Sequence, residues 1–113
     1  MEILRGKQRA SLEAGALDAL IRAYRTVHID LGTGDGRYVR HAAQADPAAL
    51  VIGIDACREN LEATSRRVPD NALFVIANAH ALPPALHGTA QRVTVNFPWG
   101  SLIDGLLTDG SPV

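Results

Sequence analysis

The chain has 113 residues, a formal net charge of −1, 47% hydrophobic and 4% aromatic residues. That is the size of one domain, with a core drawn mostly from Ala, Val, Leu and Ile. No basic excess gives the whole domain an electrostatic case for nucleic acid. The single cysteine, Cys57, excludes an internal disulfide and fits a reducing compartment. The opening MEILRGKQ lacks an apolar signal-type region, and no stretch approaches the ~20 apolar residues of a membrane span. The expectation is a soluble, cytoplasmic protein with no membrane partner.

Met1–Ala10 suggests a small hairpin turning at Gly6, with Ile3 and Leu4 before a run of basic residues. Ser11 reads as an N-cap, with Glu13 in the first turn of a helix. Leu12, Ala16, Leu17, Leu20, Ile21 and Tyr24 make its core-facing stripe. Val27, Ile29 and Leu31 alternate with His28 and Asp30, which predicts a strand. Arg37–Ala45 has helical spacing, with Val39, Ala42 and Ala43 on one face. Leu50–Asp55 is a second strand after the Asp46-Pro47 break, and Arg58–Arg67 a second amphipathic helix. Its terminal Arg66 and Arg67 complement the helix dipole. Ala72–Ala77 is a third, buried strand, followed by a loop through Asn78–Pro84. Gln91–Phe97 is the fourth strand, Pro98-Trp99-Gly100 breaks it, and Ser101–Leu107 begins another helix. Strands alternating with helices predict a parallel sheet with right-handed crossovers in the order third, second, first, fourth. The chain then reads as one unit: hairpin and helix over 1–26, core over 27–107, and a short tail over 108–113.

The chemistry gathers around the first strand. Gly32, Gly34 and Gly36 follow it at alternate positions, so backbone can approach a ligand with no Cβ in the way. A dinucleotide fingerprint requires G-x-G-x-x-G, and Arg37 stands at its third glycine. That disfavours a nicotinamide-dependent oxidoreductase. Here the pattern is Asp30-x-Gly32-x-Gly34-x-Gly36, with an acid on the strand itself. Such an acid suits a ligand carrying an ammonium, such as the methionyl end of S-adenosylmethionine. The second strand ends in Asp55, about twenty residues on, where an acid can accept both hydroxyls of a ribose. Asp55 can equally cap the next helix, and the two roles are compatible.

All these groups fall at carboxyl ends of strands, as do Asn78–His80 and Phe97–Gly100, and such ends hold ligands in open α/β sheets. Trp99 is the only tryptophan, set between Pro98 and Gly100 at a strand end. It is read as a stacking surface for a planar base rather than a plug under the next helix. Transfer to a ring nitrogen such as adenine N1 needs positioning more than a strong base, and stacking supports a base taken out of its helix. His80 reads as a loop histidine rather than a base. No residue is assigned to a metal.

Together VHIDLGTGDGR, VIGID with RENL, LFVIANAHALP and VNFPWGSL resemble the aminoglycoside-resistance 16S rRNA methyltransferases of the kanamycin–apramycin type. These enzymes methylate N1 of a decoding-site adenine. The likeness runs from the hairpin to Leu107. It implies a Rossmann-like class I α/β methyltransferase fold, S-adenosylmethionine as donor and the 30S subunit, through its 16S rRNA, as substrate. By position it assigns Asp30, Gly32, Thr33, Gly34 and Gly36 to the methionyl end of the cofactor. Asp55 with Ala56 falls at the ribose, and Ala79, His80 and Ser101 lie near the cofactor. Phe97, Pro98 and Trp99 form the catalytic loop, with Trp99 one of two tryptophans that stack the flipped adenine. Arg66 and Arg67 match the family's first RNA-contacting basic pair. His80 stands where the family usually has Glu. Family members continue well beyond Leu107 with three more strands, so the sheet is expected to be incomplete and Val93–Phe97 to be an open edge that favours self-association. Two alternatives accompany the rRNA reading: a relative that binds S-adenosylmethionine without turnover, and a small-molecule methyltransferase.

Overall fold

In the computed structural model, residues 1–6, 8–11, 13–78 and 81–95 are described. Glu2–Arg5 (β1) and Gln8–Ser11 (β2) form an antiparallel hairpin that turns at Gly6, whose φ is 60°. Ala14–Arg22 (α1) follows, then Thr26–Leu31 (β3), Arg37–Ala45 (α2), Ala49–Asp55 (β4), Arg58–Ser65 (α3), Ala72–Ile76 (β5) and Arg92–Val95 (β6). A 3₁₀ turn at Pro84–Leu86 lies between the last two strands.

The sheet order is β2-β1-β5-β4-β3-β6. Its four parallel strands keep the expected order, third, second, first, fourth, as β5-β4-β3-β6. The sheet is nevertheless mixed and six-stranded, because β1 pairs antiparallel with β5 through Ile3↔Val75 and Leu4↔Phe74. The hairpin was expected; its place in the main sheet was not. Ile3 and Leu4 explain it, since each is buried on a different face of the sheet and so extends both cores. Two side-chain contacts anchor the hairpin to α3: Arg58 pairs with Glu2, and the Ser65 hydroxyl donates to the Gly6 carbonyl at 2.7 Å.

Both faces of the central strands are covered, which is why β4 and β5 read as continuous apolar runs. One face gathers Val27, Ile29, Leu31, Leu50, Ile52 and Ile54 under Leu17 of α1 and Leu82 and Leu86. The other sets Val51, Ala72 and Phe74 against Val39 and Ala43 of α2 and Leu61 of α3. Ser11 is not the cap of α1: it ends β2 opposite Glu2, and Glu13 takes the N-cap position without a side-chain bond. Ala16 is exposed, so the stripe of α1 rests on Leu17, with Leu20, Ile21 and Tyr24 packed against the core. Leu12 of that stripe lies outside the described residues. The 3₁₀ turn begins at Pro84, the last residue of the expected loop, and delivers Leu86 to the core with no exposure. The predicted helix over 101–107 also lies outside the described residues. Among the described residues, no helix is long and apolar enough to cross a membrane.

One aromatic ring sets how closely α2 and the glycine loop approach the sheet. A Cβ on Gly53 would sit 2.8 Å from Phe74 Cδ1 and 2.9 Å from Val39 Cγ2. A Cβ on Gly36 would meet Phe74 Cζ and Thr64 Cγ2, each at 2.8 Å. Phe74 is wholly buried and cannot swing aside. Gly53→Ala is therefore expected to destabilise the fold by about 1–3 kcal/mol through overpacking. Each kcal/mol lowers the melting temperature by roughly 4–8 °C in a domain of this size. A calorimetric scan showing an unshifted midpoint would contradict the packing described.

Candidate functional site

The loop leaving β3 folds back over the end of β4. Thr33 N–H donates to the Ile54 carbonyl at 3.0 Å, and Gly36 N–H to the Thr33 carbonyl at 3.1 Å. Gly32, Gly34 and Gly36 have φ of 64°, 61° and 76°, a conformation that disfavours side chains. The three have different surroundings. Gly36 is buried against Phe74 and Thr64, so its missing side chain makes room for packing. Gly34 has open space where a Cβ would project. Gly32 and Gly34 line a hollow of about 420 Å³ with Thr33, Asp35, Arg37, Tyr38 and His41. That volume lies within the range of small-ligand sites. Thr33 is 5% exposed, and its hydroxyl has no hydrogen-bond partner among the described residues.

Asp55 ties this loop to the next one. Its Oδ2 accepts the Gly34 N–H at 2.9 Å and its Oδ1 accepts the Cys57 N–H at 2.8 Å. Asp55 is not the cap of α3: Cys57 takes the N-cap position without a side-chain cap bond, and Asp55, two residues before it, holds the turn that enters the helix. Each carboxylate oxygen keeps a lone-pair direction for a further donor, and Asp55 is only half-buried. Ala56 beside it is exposed.

Asp30 is placed differently from the loop it precedes. It has no exposure and does not line the hollow. Its Oδ1 accepts the Thr94 hydroxyl of β6 at 2.6 Å, across the register pair Asp30↔Thr94. His28, two residues earlier on the same face, has Nε2 at 3.2 Å from Thr94 Oγ1 and 3.3 Å from the Tyr38 hydroxyl. Thr94 has one hydrogen and gives it to Asp30, so a bond from His28 to Thr94 requires the Nε2–H form. Tyr38 meets the His28 ring edge-on, with centroids 5.4 Å apart. Burial lowers the His28 pKa from its ordinary value; the Arg92 charge lowers it further and the Asp30 carboxylate opposes both. His28 is thereby held in its neutral form at neutral pH.

Sequence reading missed His28, Tyr38 and Thr94 as a group. The signal was there in β3, where two polar residues share one face of a strand expected to be buried on both sides. Only the parallel register with β6 reveals their partner. At the α3 end, Arg66 and Arg67 are exposed. Arg67 lines a second hollow of about 280 Å³ with Asp35, Arg37, Arg40 and Thr64. Ala79, His80, Phe97, Pro98, Trp99 and Ser101 lie outside the described residues.

Comparison with known proteins bears on this arrangement. The family described as NpmA: 16S rRNA (adenine(1408)-N(1))-methyltransferase matches residues 2–113. A curated Escherichia coli 16S rRNA (adenine(1408)-N(1))-methyltransferase is 38% identical over 112 residues, 92% of this chain and 51% of its own length. The crystal structure of the aminoglycoside resistance methyltransferase NpmB1 is 43% identical, with a TM-score of 0.83, over 94% of this chain and 55% of that one. A mutant 16S rRNA (adenine(1408)-N(1))-methyltransferase with cosubstrate SAM, from Catenulisporales acidiphilia, is 29% identical. Its TM-score is 0.84 over 100% of this chain and 54% of that one. The chain spans about half the length of the curated relatives it matches. With the family matched over residues 2–113, the chain belongs to the NpmA family of 16S rRNA (adenine(1408)-N(1))-methyltransferases.

Proposed function

We propose that this chain binds S-adenosylmethionine over the glycine loop and the end of β4, and serves methylation of adenine N1 at the decoding site of 16S rRNA in the 30S subunit. Its biological outcome is aminoglycoside resistance. The observation that carries the reading is the Asp55 carboxylate, bonded to Gly34 N–H at 2.9 Å in a chain of the NpmA family. The residues suit the cofactor. Gly34 leaves space for a ligand against the backbone, and the buried Thr33 hydroxyl lacks a partner among the described residues. An unpaired buried hydroxyl costs stability until something bonds it. In this reading Gly32, Thr33, Gly34 and Gly36 form the methionyl side. Asp55 accepts the ribose hydroxyls beside Ala56, and Ala79, His80 and Ser101 complete the surroundings. Asp30, buried and bonded to Thr94, sets the shape of the loop's entry.

When bound, S-adenosylmethionine supplies an electrophilic methyl group on a sulfonium. The chain's task is to hold adenine N1, unprotonated at neutral pH, in line with it. Phe97, Pro98 and Trp99 follow β6 and are proposed to grip the flipped base, Trp99 by stacking. Arg66 and Arg67 are proposed to contact the rRNA backbone. Family membership favours this substrate over a small molecule.

Calorimetry with S-adenosylhomocysteine tests the cofactor site. Wild type should bind saturably, and Asp55→Ala should bind at least about tenfold more weakly, the loss of a charged hydrogen bond being worth roughly 1.5–3 kcal/mol. Asp55→Asn, which keeps one acceptor oxygen, should fall between them. Equal binding by all three folded proteins would remove Asp55 from the site. Transfer of labelled methyl to 30S subunits, blocked by Trp99→Ala, would support the rRNA activity. Saturable cofactor binding with no transfer would instead favour the non-catalytic relative.

We also propose self-association along β6, which among the described residues pairs only with β3 and exposes Val93 at 37%. An unprotected apolar edge invites another strand. Sedimentation velocity should show the average mass rising with concentration and Val93→Lys reducing the rise. A monomer at every concentration would refute it.

A further inference from the structure

We propose that Arg37, Arg40 and Arg67 form a seat for a backbone phosphate of structured RNA, directly beside the glycine loop. The inference rests on the rRNA reading above and adds to it a contact surface on α2.

The seat is the hollow of about 280 Å³ bounded by Asp35, Arg37, Arg40, Thr64 and Arg67. Arg37 and Arg40 lie three residues apart on α2 and so share a face. Arg67 follows α3, its N–H bonded to the Thr64 carbonyl at 2.8 Å. The two elements are fastened where the hollow forms. Gly36 packs against the Thr64 methyl, and the Thr64 hydroxyl donates to the Asp35 carbonyl. The three guanidinium groups are therefore carried on a braced frame, not on independent loops.

Charge makes the hollow an anion site. Three arginines against one aspartate leave the lining with a formal charge of +2 in a chain whose net charge is −1. Asp35 is already engaged: Oδ1 accepts the Arg37 N–H at 3.0 Å, and Oδ2 lies 3.4 Å from the Arg37 guanidinium. Arg40 and Arg67 make no side-chain hydrogen bond or ion pair among the described residues. Helix-dipole complementarity explains Arg67, at the end of a helix, but not Arg37. A cation in the first turn of α2 faces the positive end of the dipole and is disfavoured there. Guanidinium forks match phosphate oxygens in geometry as well as charge.

Two features favour a polyanion over a small free anion. Arg37 is 74% exposed, and contacts so open to solvent are individually weak; they gain strength when many phosphates of one backbone bind together. The hollow also shares Asp35 and Arg37 with the hollow lined by the glycine loop. An RNA strand seated on these arginines would therefore pass next to the methyl-transfer site.

The test is binding of the chain to 30S subunits over a series of KCl concentrations, with melting temperatures checking that each variant is folded. Arg40→Gln and Arg67→Gln should each weaken binding several-fold at low salt. Each should also flatten the slope of log K against log[KCl] by roughly 0.7–0.9, the loss of one phosphate contact. Arg40→Lys should restore most of the slope, and Arg22→Gln, on α1, should leave it unchanged. Wild-type affinity and slope in Arg40→Gln, with Arg67→Gln weakened, would overturn the seat while leaving the rRNA reading standing; both variants at wild-type values would overturn the seat and the Arg67 contact of that reading together. Failure of the wild-type chain to bind 30S subunits at any salt would overturn both.

Discussion

A single carboxylate couples the two loops on which the site is built. Asp55 receives Gly34 N–H with one oxygen and Cys57 N–H with the other, so the end of β4 fixes both the turn after β3 and the entry to α3. Without it, Gly34 would present a donor to solvent in a turn whose three glycines already sacrifice conformational entropy. Other bonds shape the same turn: Thr33 N–H to the Ile54 carbonyl, Gly36 N–H to the Thr33 carbonyl, and the Thr64 hydroxyl to the Asp35 carbonyl. Asp55 thus acts on the two turns at once, not as the cap of α3, whose N-cap is Cys57. The backbone bonds orient the carboxylate, and each oxygen keeps a lone pair for a further donor.

Asp30 solves a different problem. A carboxylate with no exposure is costly unless bonded. Thr94 meets part of that need with a 2.6 Å bond from the neighbouring strand. The bond reaches across the β3–β6 pair, and β6 is the strand that leads into Phe97-Pro98-Trp99. One polar contact thus joins the strand that feeds the glycine loop to the strand that feeds the proposed catalytic segment. His28 extends the chain to Tyr38 on α2, and its lowered pKa keeps a positive charge from being stranded beside Arg92. Sheet register, not loop chemistry, brings these side chains of β3 and β6 together.

Sequence periodicity revealed most of the parallel core. The bounds of α2 match the expected Arg37–Ala45, and β4, α3 and β5 differ only at their ends, because buried apolar runs and amphipathic stripes carry their own signal. The start of α1 was misread because Ser11 suits both a cap and a strand end. Its pairing with Glu2, a tertiary fact, decided between them. Spacing showed Gly36 as part of the glycine loop but not its packing role: Phe74, 38 positions away in sequence, occupies the space of its missing side chain. The His28–Thr94–Asp30 contacts were invisible for a related reason. Alternation shows which face a residue takes, but not which strand lies beside it.

Net charge was the least informative quantity of all. A value of −1 removes any electrostatic case for the domain as a whole, but phosphate recognition is local. Fields from groups more than about 10 Å apart are largely screened at ordinary ionic strength, so distant acids do little to cancel a cluster. Three arginines separated in sequence by up to thirty positions are brought to one hollow by the approach of α2 to the end of α3. That approach depends on Gly36 lacking a Cβ against Phe74 and Thr64. The packing that positions the glycine loop is therefore also what concentrates positive charge beside it. A side chain at Gly36 would disturb both together.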